Sequence, residues 1–346
     1  MSKQDGIEHV LLEEDDLMHE VEDASNYNES AYYNFFDSSA AVGGWVRIGN
    51  RVNEGYAEVS VCLYEPDGSA AFQFKRPKIQ TNDAFAAGGL SFEVVEPWKH
   101  HRVVYDACFL TDPKEMAEPR EAFKANPQVP VALDLDWYGR SEGWGGEPRR
   151  RTADGGWEPA NAGDPEKLAA RGHFQQTGVV SGTVTIDGRR YELDGQGHRD
   201  HSWGPRYWQN MQDYRWLTIT VGPEFGLMGS IFLAPDDPDE SKPQSASGFV
   251  YRKGQPNVEI DRVELRTEYD DDGGDHRGCQ ERITARLTAE NGEVFDVTGE
   301  VLAVVPCRNR RGGGVTRIAE GITRWTCDGH VGYGMTEYLD QLSKPE

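Results

Sequence analysis

The chain has 346 residues and a formal net charge of −23 at pH 7, with 59 Asp and Glu against 36 Lys and Arg. This excess of acid argues against nucleic acid or an anionic membrane surface as the main partner, because both bind basic surfaces. The length suits two domains, and the sequence has no apolar run approaching the roughly 20 residues that a membrane-spanning helix needs.

The first 26 residues are predicted to form an acidic, partly disordered segment. They contain no signal-peptide core, which predicts a cytoplasmic protein without stable membrane insertion. The acidic runs EEDD (13–16), DDPDE (236–240) and EYDDDGGD (268–275) are interpreted as solvated tails and loop tips.

Turn dipeptides flanked by β-branched and aromatic residues recur along the chain and predict antiparallel strands. Asp-Gly or Asn-Gly pairs mark four hairpins, at residues 67–68, 187–188, 291–292 and 328–329. Such pairs supply the positive φ angles of a two-residue hairpin turn. Consecutive hairpins build meanders, which commonly close into barrels to remove their edges. The sequence therefore predicts an all-β protein based on a calycin-like barrel.

Two features divide the chain. Residues 139–172 are rich in Gly, Pro and charge and predict a long excursion, in which DPEKLAARG (164–172) forms a short helix. SWGPR interrupts the strands near residue 203, which places a first domain at 27–202 and a second at 203–346.

The segment GQGHRDHSWGPRYW (195–208) gathers proton carriers and aromatic rings. If Asp187 and Gly188 form a two-residue turn, residues whose numbers have the same sum lie opposite each other, and side chains alternate between faces. The residues that then share one face are His173, Gln175, Thr177, His198, Asp200 and Ser202. A single bulge would instead bring His201 to this face.

Three interpretations of this cluster stay open. Three histidines and an aspartate form a conceivable metal set, although Arg199 and Arg206 would repel a cation. A buried Arg-Asp-His network joining the domains is the structural alternative. Acid–base chemistry is the sharper hypothesis, because a desolvated carboxyl such as Asp200 keeps a proton near neutral pH.

The turn at Asp328 and Gly329 gives a second set of opposed residues, which includes Glu320 with Glu337 and Arg324 with Tyr333. Two opposed carboxylates repel each other unless one is protonated or a cation lies between them, so one raised pKa is expected. The face is interpreted as a half-apolar pocket wall, and a solvated edge strand is the alternative. The aromatic stretch YYNFFD (32–37) is assigned to the core.

Three segments together resemble a known family: YYNFFD, residues 173–206 with the RDHSWG core, and EGITRWTCDGHVGYGMTEYL (320–339). They are similar to the carotenoid 1,2-hydratase (hydroxyneurosporene synthase) and AttH-like superfamily. The resemblance implies two tandem lipocalin-like antiparallel β-barrel domains with a few short helices. It also implies relatives that are cofactor-free hydratases or pericyclases and bind hydrophobic polyenes between or within the barrels.

In the hydratases of that superfamily an aspartate handles the proton, which the motif places on Asp200 with His198 and His201 beside it. We therefore hypothesise a cofactor-independent, metal-free hydratase or dehydratase, a carbon–oxygen lyase acting on an isoprenoid, terpenoid or steroid-like compound. Glu337 and Glu320 are candidates for the base that activates water. The candidate substrate-binding residues are Trp203, Trp208, Tyr207, Tyr333, His173, Gln175, Arg206 and Trp216.

Two other functions remain open at this stage: a non-catalytic carrier of hydrophobic small molecules, and a pericyclase or isomerase of the same fold. The expected partner in each case is a hydrophobic small molecule. The sequence leaves open the substrate, the direction of the reaction and whether the chain forms a homodimer.

Overall fold

The computed structural model describes residues 7–160, 164, 169–235, 239–270 and 278–343. These residues form antiparallel strands with short helical segments between them, which confirms the all-β prediction. In the first half of the chain the strands are β1 (Ile7–Val10), β2 (Tyr27–Asp37), β3 (Val42–Arg51), β4 (Tyr56–Tyr64), β5 (Ala70–Lys75), β6 (Phe85–Ala87), β7 (Leu90–Glu96), β8 (His100–Thr111), β9 (Gln128–Gly139), β10 (Trp144–Arg151), β11 (Trp157–Pro159), β12 (Gly172–Ile186) and β13 (Arg189–Pro205).

Eight of these strands close a first barrel in the order β2-β3-β4-β5-β8-β9-β12-β13, because β13 pairs back onto β2. Closure leaves the barrel without free edges. The remaining strands extend the sheet outside the barrel: β6 and β7 pair beyond β8, and β1 and β11 pair with β10 beside β12.

A second closed barrel follows, in which consecutive strands are neighbours and the last pairs with the first. Its strands are β14 (Tyr214–Val221), β15 (Phe225–Phe232), β16 (Ser245–Arg252), β17 (Val258–Tyr269), β18 (Gln280–Ala289), β19 (Val294–Arg311), β20 (Gly314–Cys327) and β21 (His330–Ser343). The chain passes from one barrel to the other over residues 206–213, just beyond the predicted boundary at residue 203. We propose that each barrel forms one domain.

Side-chain alternation separates two environments on each barrel wall. On β2, Tyr33 and Phe35 point inward and pack with aliphatic side chains of the first barrel's core. Tyr32 and Phe36 point outward and pack in a third cluster that joins the two barrels. The YYNFFD stretch is thus core on one face and barrel contact on the other, because its aromatic residues occupy both alternating positions.

The four predicted hairpins all form, but two-residue turns occur at only two of them. Asp187 and Gly188 have φ angles of 49° and 78°, and Asp328 and Gly329 have 48° and 79°. The loops at Asp67-Gly68 and Asn291-Gly292 are longer, and only their glycines have a positive φ. In both loops the Asp or Asn side chain accepts a hydrogen bond from the backbone N–H two residues further on, which stabilises a wider turn.

The prediction that EEDD (13–16) is solvated is wrong for its second half. Asp15 and Asp16 are buried at the first barrel, where Asp15 pairs with Arg149 and Asp16 pairs with Arg199. Charged groups are rarely buried unless they are paired, and Asp16 supplies the charge opposite to that of the buried Arg199.

The other acidic runs lie partly outside the described residues, at 236–238 and 271–277. Of the described acids in these runs, Glu240 pairs with Arg215 and Asp270 with Lys114. These two are therefore ion-pair partners rather than freely solvated charges.

Two further sequence predictions concern helices. The helix predicted over 164–172 cannot be compared, because residues 165–168 lie outside the described residues. Within the described residues, α1 (Pro119–Ala125) is an α-helix, and 3-10 turns occur at Glu13–Asp16, Val52–Glu54, Pro113–Ala117 and Trp208–Asn210. Of the helices in the described ranges, none has the length and apolar character needed to cross a membrane.

Candidate active site between the two barrels

The long hairpin β12–β13 has the register expected from its turn. Thr177 pairs with His198 and Gln175 with Asp200, and the ladder runs from Ile186 to Gly172 without a bulge. The sequence predicts that these side chains converge, and His198 and Gln175 do so: Nε2 of His198 lies 3.0 Å from Oε1 of Gln175. Without a bulge, His201 remains on the opposite face.

The RDHSW motif is therefore divided by alternation. Arg199 and His201 point toward the interior of the first barrel, opposite Tyr33 and Ala31 on β2, whereas Asp200 lies opposite Tyr32 and faces the second barrel. The metal set of three histidines and Asp200 considered from the sequence does not assemble, because His201 is on the wrong side of the sheet.

The inward residues form a buried polar network. Nη1 of Arg199 donates to Asp16 at 2.6 Å, and the guanidinium also packs against three aromatic rings. The Arg-Asp-His network that the sequence suggested between the domains does not form among the described residues: Arg199 pairs instead with Asp16, which also contacts His101, inside the first barrel. This pairing leaves the carboxyl of Asp200 unengaged.

A second inward group surrounds Glu29, whose carboxylate lies 2.8 Å from Nδ1 of His19 and 3.0 Å from Nε2 of His201. Burial alone would raise the pKa of Glu29, but the hydrogen bonds from the two histidines hold it at about 2. The side-chain atoms of Glu29, His19 and His201 that could bind a metal ion lie within 4.8 Å of one another. Tyr27 and Asn82 also donate to Glu29, so the carboxylate oxygens are already satisfied by protein groups.

The outward residues line a cavity of about 680 Å³ between the two barrels. This volume is in the range of small-molecule sites. The first barrel contributes Tyr32, Trp45 and Phe72, and the second contributes Tyr214, Trp216 and Phe232. A hydrophobic ligand would therefore contact outward-facing aromatic side chains of both barrels, while the barrel interiors are filled by their own cores.

Three carboxyls meet at one side of this cavity. Glu320 lies directly opposite Glu337 in the β20–β21 ladder, as its turn predicted, and Asp200 faces them from the first barrel. Two tyrosine hydroxyls complete the group: Tyr32 donates to Glu320 at 3.2 Å, and Tyr214 donates to Glu337. Arg324, which the same turn pairs with Tyr333, is not among the cavity residues.

The environment favours the protonated form of two of these carboxyls. Burial, and then the nearby Glu337 charge, raises the pKa of Asp200 to about 7, although Arg206 and Arg47 oppose the shift. Burial and the hydrogen-bonded Glu337 raise the pKa of Glu320 well above its usual value. The raised pKa expected in the glutamate pair is therefore found at Glu320. Its causes are burial away from water and repulsion by the charge of Glu337.

In the part of the chain that the structure describes, no side chain binds the carboxyl of Asp200 directly. Among the described residues, its carboxyl has neither an ion pair nor a hydrogen bond, and it faces the cavity. The histidines expected to support it do not contact it. His198 is buried, its pKa is lowered to about 3, and it bonds Gln175 and Thr177 instead.

Eight of the thirteen candidate residues from the sequence line the cavity, and five do not. The candidates that line it are Asp200, Glu320, Glu337, His173, Gln175, Arg206, Trp208 and Trp216, and His198 lies behind Gln175. Besides His198, the four candidates outside the cavity are His201, Trp203, Tyr207 and Tyr333.

Each of the four has a different contact. His201 and Trp203 lie on the inward face of β13, where Trp203 stacks on His19 with ring centroids 3.9 Å apart. Tyr207 lies beneath the guanidinium of Arg311, and Tyr333 stacks on Phe36.

Sequence reasoning missed several cavity residues, including Tyr32, Trp45, Arg47 and Tyr214. Alternation within YYNFFD would have separated Tyr32 from Tyr33, but it could not show which face meets the second barrel. Tyr214 had no sequence signal, because its role depends on the docking of β14 beside β21.

The fold and site define a protein of two tandem antiparallel barrels with a cavity of small-molecule size between them. The chain belongs to the family described as a domain of unknown function, DUF7064, whose model matches residues 12–342. A comparison with curated protein sequences finds no match.

Solved structures with the same fold include a protein from Nitrosomonas europaea described as a putative AttH, and kievitone hydratase from Nectria haematococca. The AttH structure has a TM-score of 0.56 at 14% identity and covers 91% of this chain and 93% of its own. Kievitone hydratase has a TM-score of 0.54 at 10% identity and covers 92% of this chain and 90% of its own. The fold implied by the sequence resemblance is confirmed, and identities this low show the fold alone.

Proposed function

We propose that this chain is a cofactor-independent hydratase or dehydratase that acts at a C=C bond or tertiary alcohol of an isoprenoid, terpenoid or steroid-like molecule. The observation that carries the proposal is Asp200, a carboxyl without a protein partner among the described residues that faces an aromatic cavity opposite a glutamate pair. One solved structure of the same fold is named kievitone hydratase, and a hydratase catalyses this class of reaction, which supports the proposal.

In the hydration direction, Asp200 donates its proton to one alkene carbon, and the other carbon becomes a tertiary cation. Water then forms the C–O bond and releases a proton to Glu337, whose carboxyl accepts a hydrogen bond from Tyr214. Dehydration follows the same steps in reverse. A proton must return from Glu337 to Asp200 after each hydration, and Glu320 lies in the same cluster.

The aromatic residues suited to stabilise the cation differ from those considered from the sequence. Trp208 lines the cavity, but Arg47 and Arg206 already lie over its ring at 5.2 and 5.6 Å. Trp45 and Trp216 also line the cavity, and each packs against Tyr32. We assign cation stabilisation to these two rings, at roughly 0.5 to 2 kcal/mol each.

The test uses solvent isotopes, because the substrate is not known in advance. A panel of prenyl-bearing alkenes and tertiary alcohols is incubated with the protein in ¹⁸O-labelled water and in D₂O. Hydration places ¹⁸O at the tertiary carbon and one deuterium at the neighbouring carbon. Asp200→Asn should lower the rate by about 100-fold to 10,000-fold, because a general acid is removed.

Asp194→Asn is the matched control, since Asp194 is an exposed aspartate on the same strand. It should leave the rate unchanged. Equal rates for wild type and Asp200→Asn would contradict the assignment. Binding without isotope incorporation identifies a carrier, and rearrangement of the carbon skeleton without solvent isotope identifies a pericyclase or isomerase.

A further inference from the structure

The cavity is rich in arginine although the chain as a whole is strongly acidic. The arginines that line it are Arg47, Arg76, Arg120, Arg206, Arg308 and Arg310, and the carboxyls that line it are Glu58, Asp200, Glu320 and Glu337. The six guanidiniums outnumber the four carboxyls, and the raised pKa values of Asp200, about 7, and of Glu320 reduce the negative charge further. The cavity wall therefore carries a local positive charge in a molecule of net charge −23.

Arg206 forms no ion pair among the described residues, although the Asp200 carboxyl, whose pKa is raised, lies near enough to interact with its charge. It is only 9% exposed, yet its Nε donates to the carbonyl of Ala169 at 2.7 Å and its Nη1 to the hydroxyl of Ser30 at 3.5 Å. Both acceptors are neutral. A buried guanidinium is normally paired with a carboxylate, because its desolvation is costly.

Arg47, on β3, also lacks a hydrogen-bond partner within the described ranges for part of its guanidinium. Its Nη2 is buried without a hydrogen bond. Its nearest carboxylate, that of Glu58, lies 3.8 Å from Nη1 and is also bound by Arg76 at 3.1 Å. Arg47 and Arg206 both lie over the ring of Trp208, and repulsion by the Arg47 charge helps to lower the pKa of Arg206 after the larger effect of burial.

The remaining arginines extend this positive surface. Arg308 and Arg310 share a single carboxylate, that of Glu118, at 2.8 and 3.7 Å. Arg120 is exposed and has no ion pair in the part of the chain that the structure describes. Clustered like charges of this kind attract an oppositely charged ligand over long distance.

We infer that the substrate is an anionic amphiphile, whose carboxylate or phosphate group binds Arg206 and Arg47 while its apolar part lies among the aromatic rings. The planar fork of a guanidinium matches the oxygens of either group, and a bound anion would supply a close ion-pair partner. The inference rests on the proposed function for the isoprenoid nature of the apolar part, but the anionic group is argued from the arginines alone.

The experiment compares ligands that share one carbon chain and differ only in their end group: farnesoic acid, farnesyl phosphate and farnesol. Dissociation constants are measured by isothermal titration calorimetry on the full chain. We expect at least one of the two anions to bind roughly tenfold to hundredfold more tightly than the alcohol, as charge-assisted hydrogen bonds predict. The tighter of the two identifies the natural end group.

Arg206→Gln should remove most of this preference, whereas Arg206→Lys should keep part of it because the charge remains. Arg190→Gln is the matched control, since Arg190 is exposed on the same strand and outside the cavity. If Arg206→Gln does not fold, Arg47→Gln provides the same comparison. Salt should weaken binding of the anions more than binding of farnesol.

Equal affinity of wild type for all three ligands would overturn the inference, as would a preference that survives in the folded Arg206→Gln and Arg47→Gln proteins. The outcome is independent of catalysis, because Asp200→Asn should still prefer the anions. An anion preference without any hydration activity removes only the proposed function. Hydration activity without an anion preference removes only the inference about the end group.

Discussion

Asp200 and Arg199 show how one step along a strand changes the chemistry of a side chain. Arg199 points into the first barrel and pairs with Asp16 at 2.6 Å. Asp200 points out of the barrel into the cavity, where burial and Glu337 favour its protonated form. The RDHSWG motif therefore contributes Arg199 to an ion pair on one face of the strand and Asp200 as a candidate acid on the other.

The raised pKa of Asp200 has a consequence for stability that can be measured without a substrate. The folded chain keeps this proton up to about pH 7, whereas the unfolded chain releases it near the ordinary value of 3.8. Between these values the native state binds more protons, so the free energy of unfolding falls as the pH rises. The contribution of one such group is at most about 1.4 kcal/mol per pH unit.

Asp200→Asn abolishes this titration. The difference in free energy of unfolding between wild type and Asp200→Asn, measured by urea denaturation from about pH 5 to about pH 8, should therefore decline with pH. For the exposed Asp194→Asn the difference should stay nearly constant. A pH-independent difference for Asp200→Asn would show that this carboxyl is ionised in the folded protein throughout the range.

At the scale of single elements, the β12–β13 hairpin sets which side chains reach the cavity. Its turn fixes the register, and a shift by one residue would exchange the inward and outward faces. Asp187 and Gly188 both adopt positive φ, the combination that a two-residue turn requires. The β20–β21 hairpin places Glu320 opposite Glu337 by the same means.

Gly188→Ala should lower the free energy of unfolding by about 1 to 2 kcal/mol, the usual cost of a left-handed conformation for a residue with a Cβ atom. The space around Gly188 is open, so the loss measures backbone strain rather than a clash. Asp187→Asn is the control and should change stability by less than about 0.5 kcal/mol, because Asn tolerates positive φ. A loss in Asp187→Asn as large as in Gly188→Ala would contradict this explanation.

For the molecule as a whole, the cavity exists because two closed barrels pack against each other through their outer surfaces. Trp216 of the second barrel donates to Gln175 of the first at 2.8 Å, and Tyr64 of the first donates to the carbonyl of Glu320 at 2.8 Å. The segment before β2 completes the first barrel by inserting Asp16 and its neighbours.

This insertion predicts that Asp16→Asn destabilises the whole protein. Burial opposes ionisation of Asp16, but Arg199 and His101 hold its pKa well below the ordinary value. Removing the carboxylate leaves the buried Arg199 unpaired, which should cost about 3 to 5 kcal/mol in urea denaturation.

Glu14→Gln is the control for this change, because Glu14 is exposed in the same segment. The double variant Asp16→Asn with Arg199→Met should recover part of the loss, since it removes the unpaired charge as well. Equal stabilities for Asp16→Asn and Glu14→Gln would show that the segment does not contribute to the barrel.

The sequence by itself determined the strand class, the hairpin register and the pairing of Gln175 with Asp200 and of Glu320 with Glu337. These features follow from turn chemistry and period-two alternation, which are local along the chain. Only the tertiary structure decided that both outward faces meet around one cavity, and that Tyr32, Arg47 and Tyr214 join Asp200 there. Barrel closure and docking bring together residues that are distant in sequence, and no local pattern encodes which face of one barrel will meet the other.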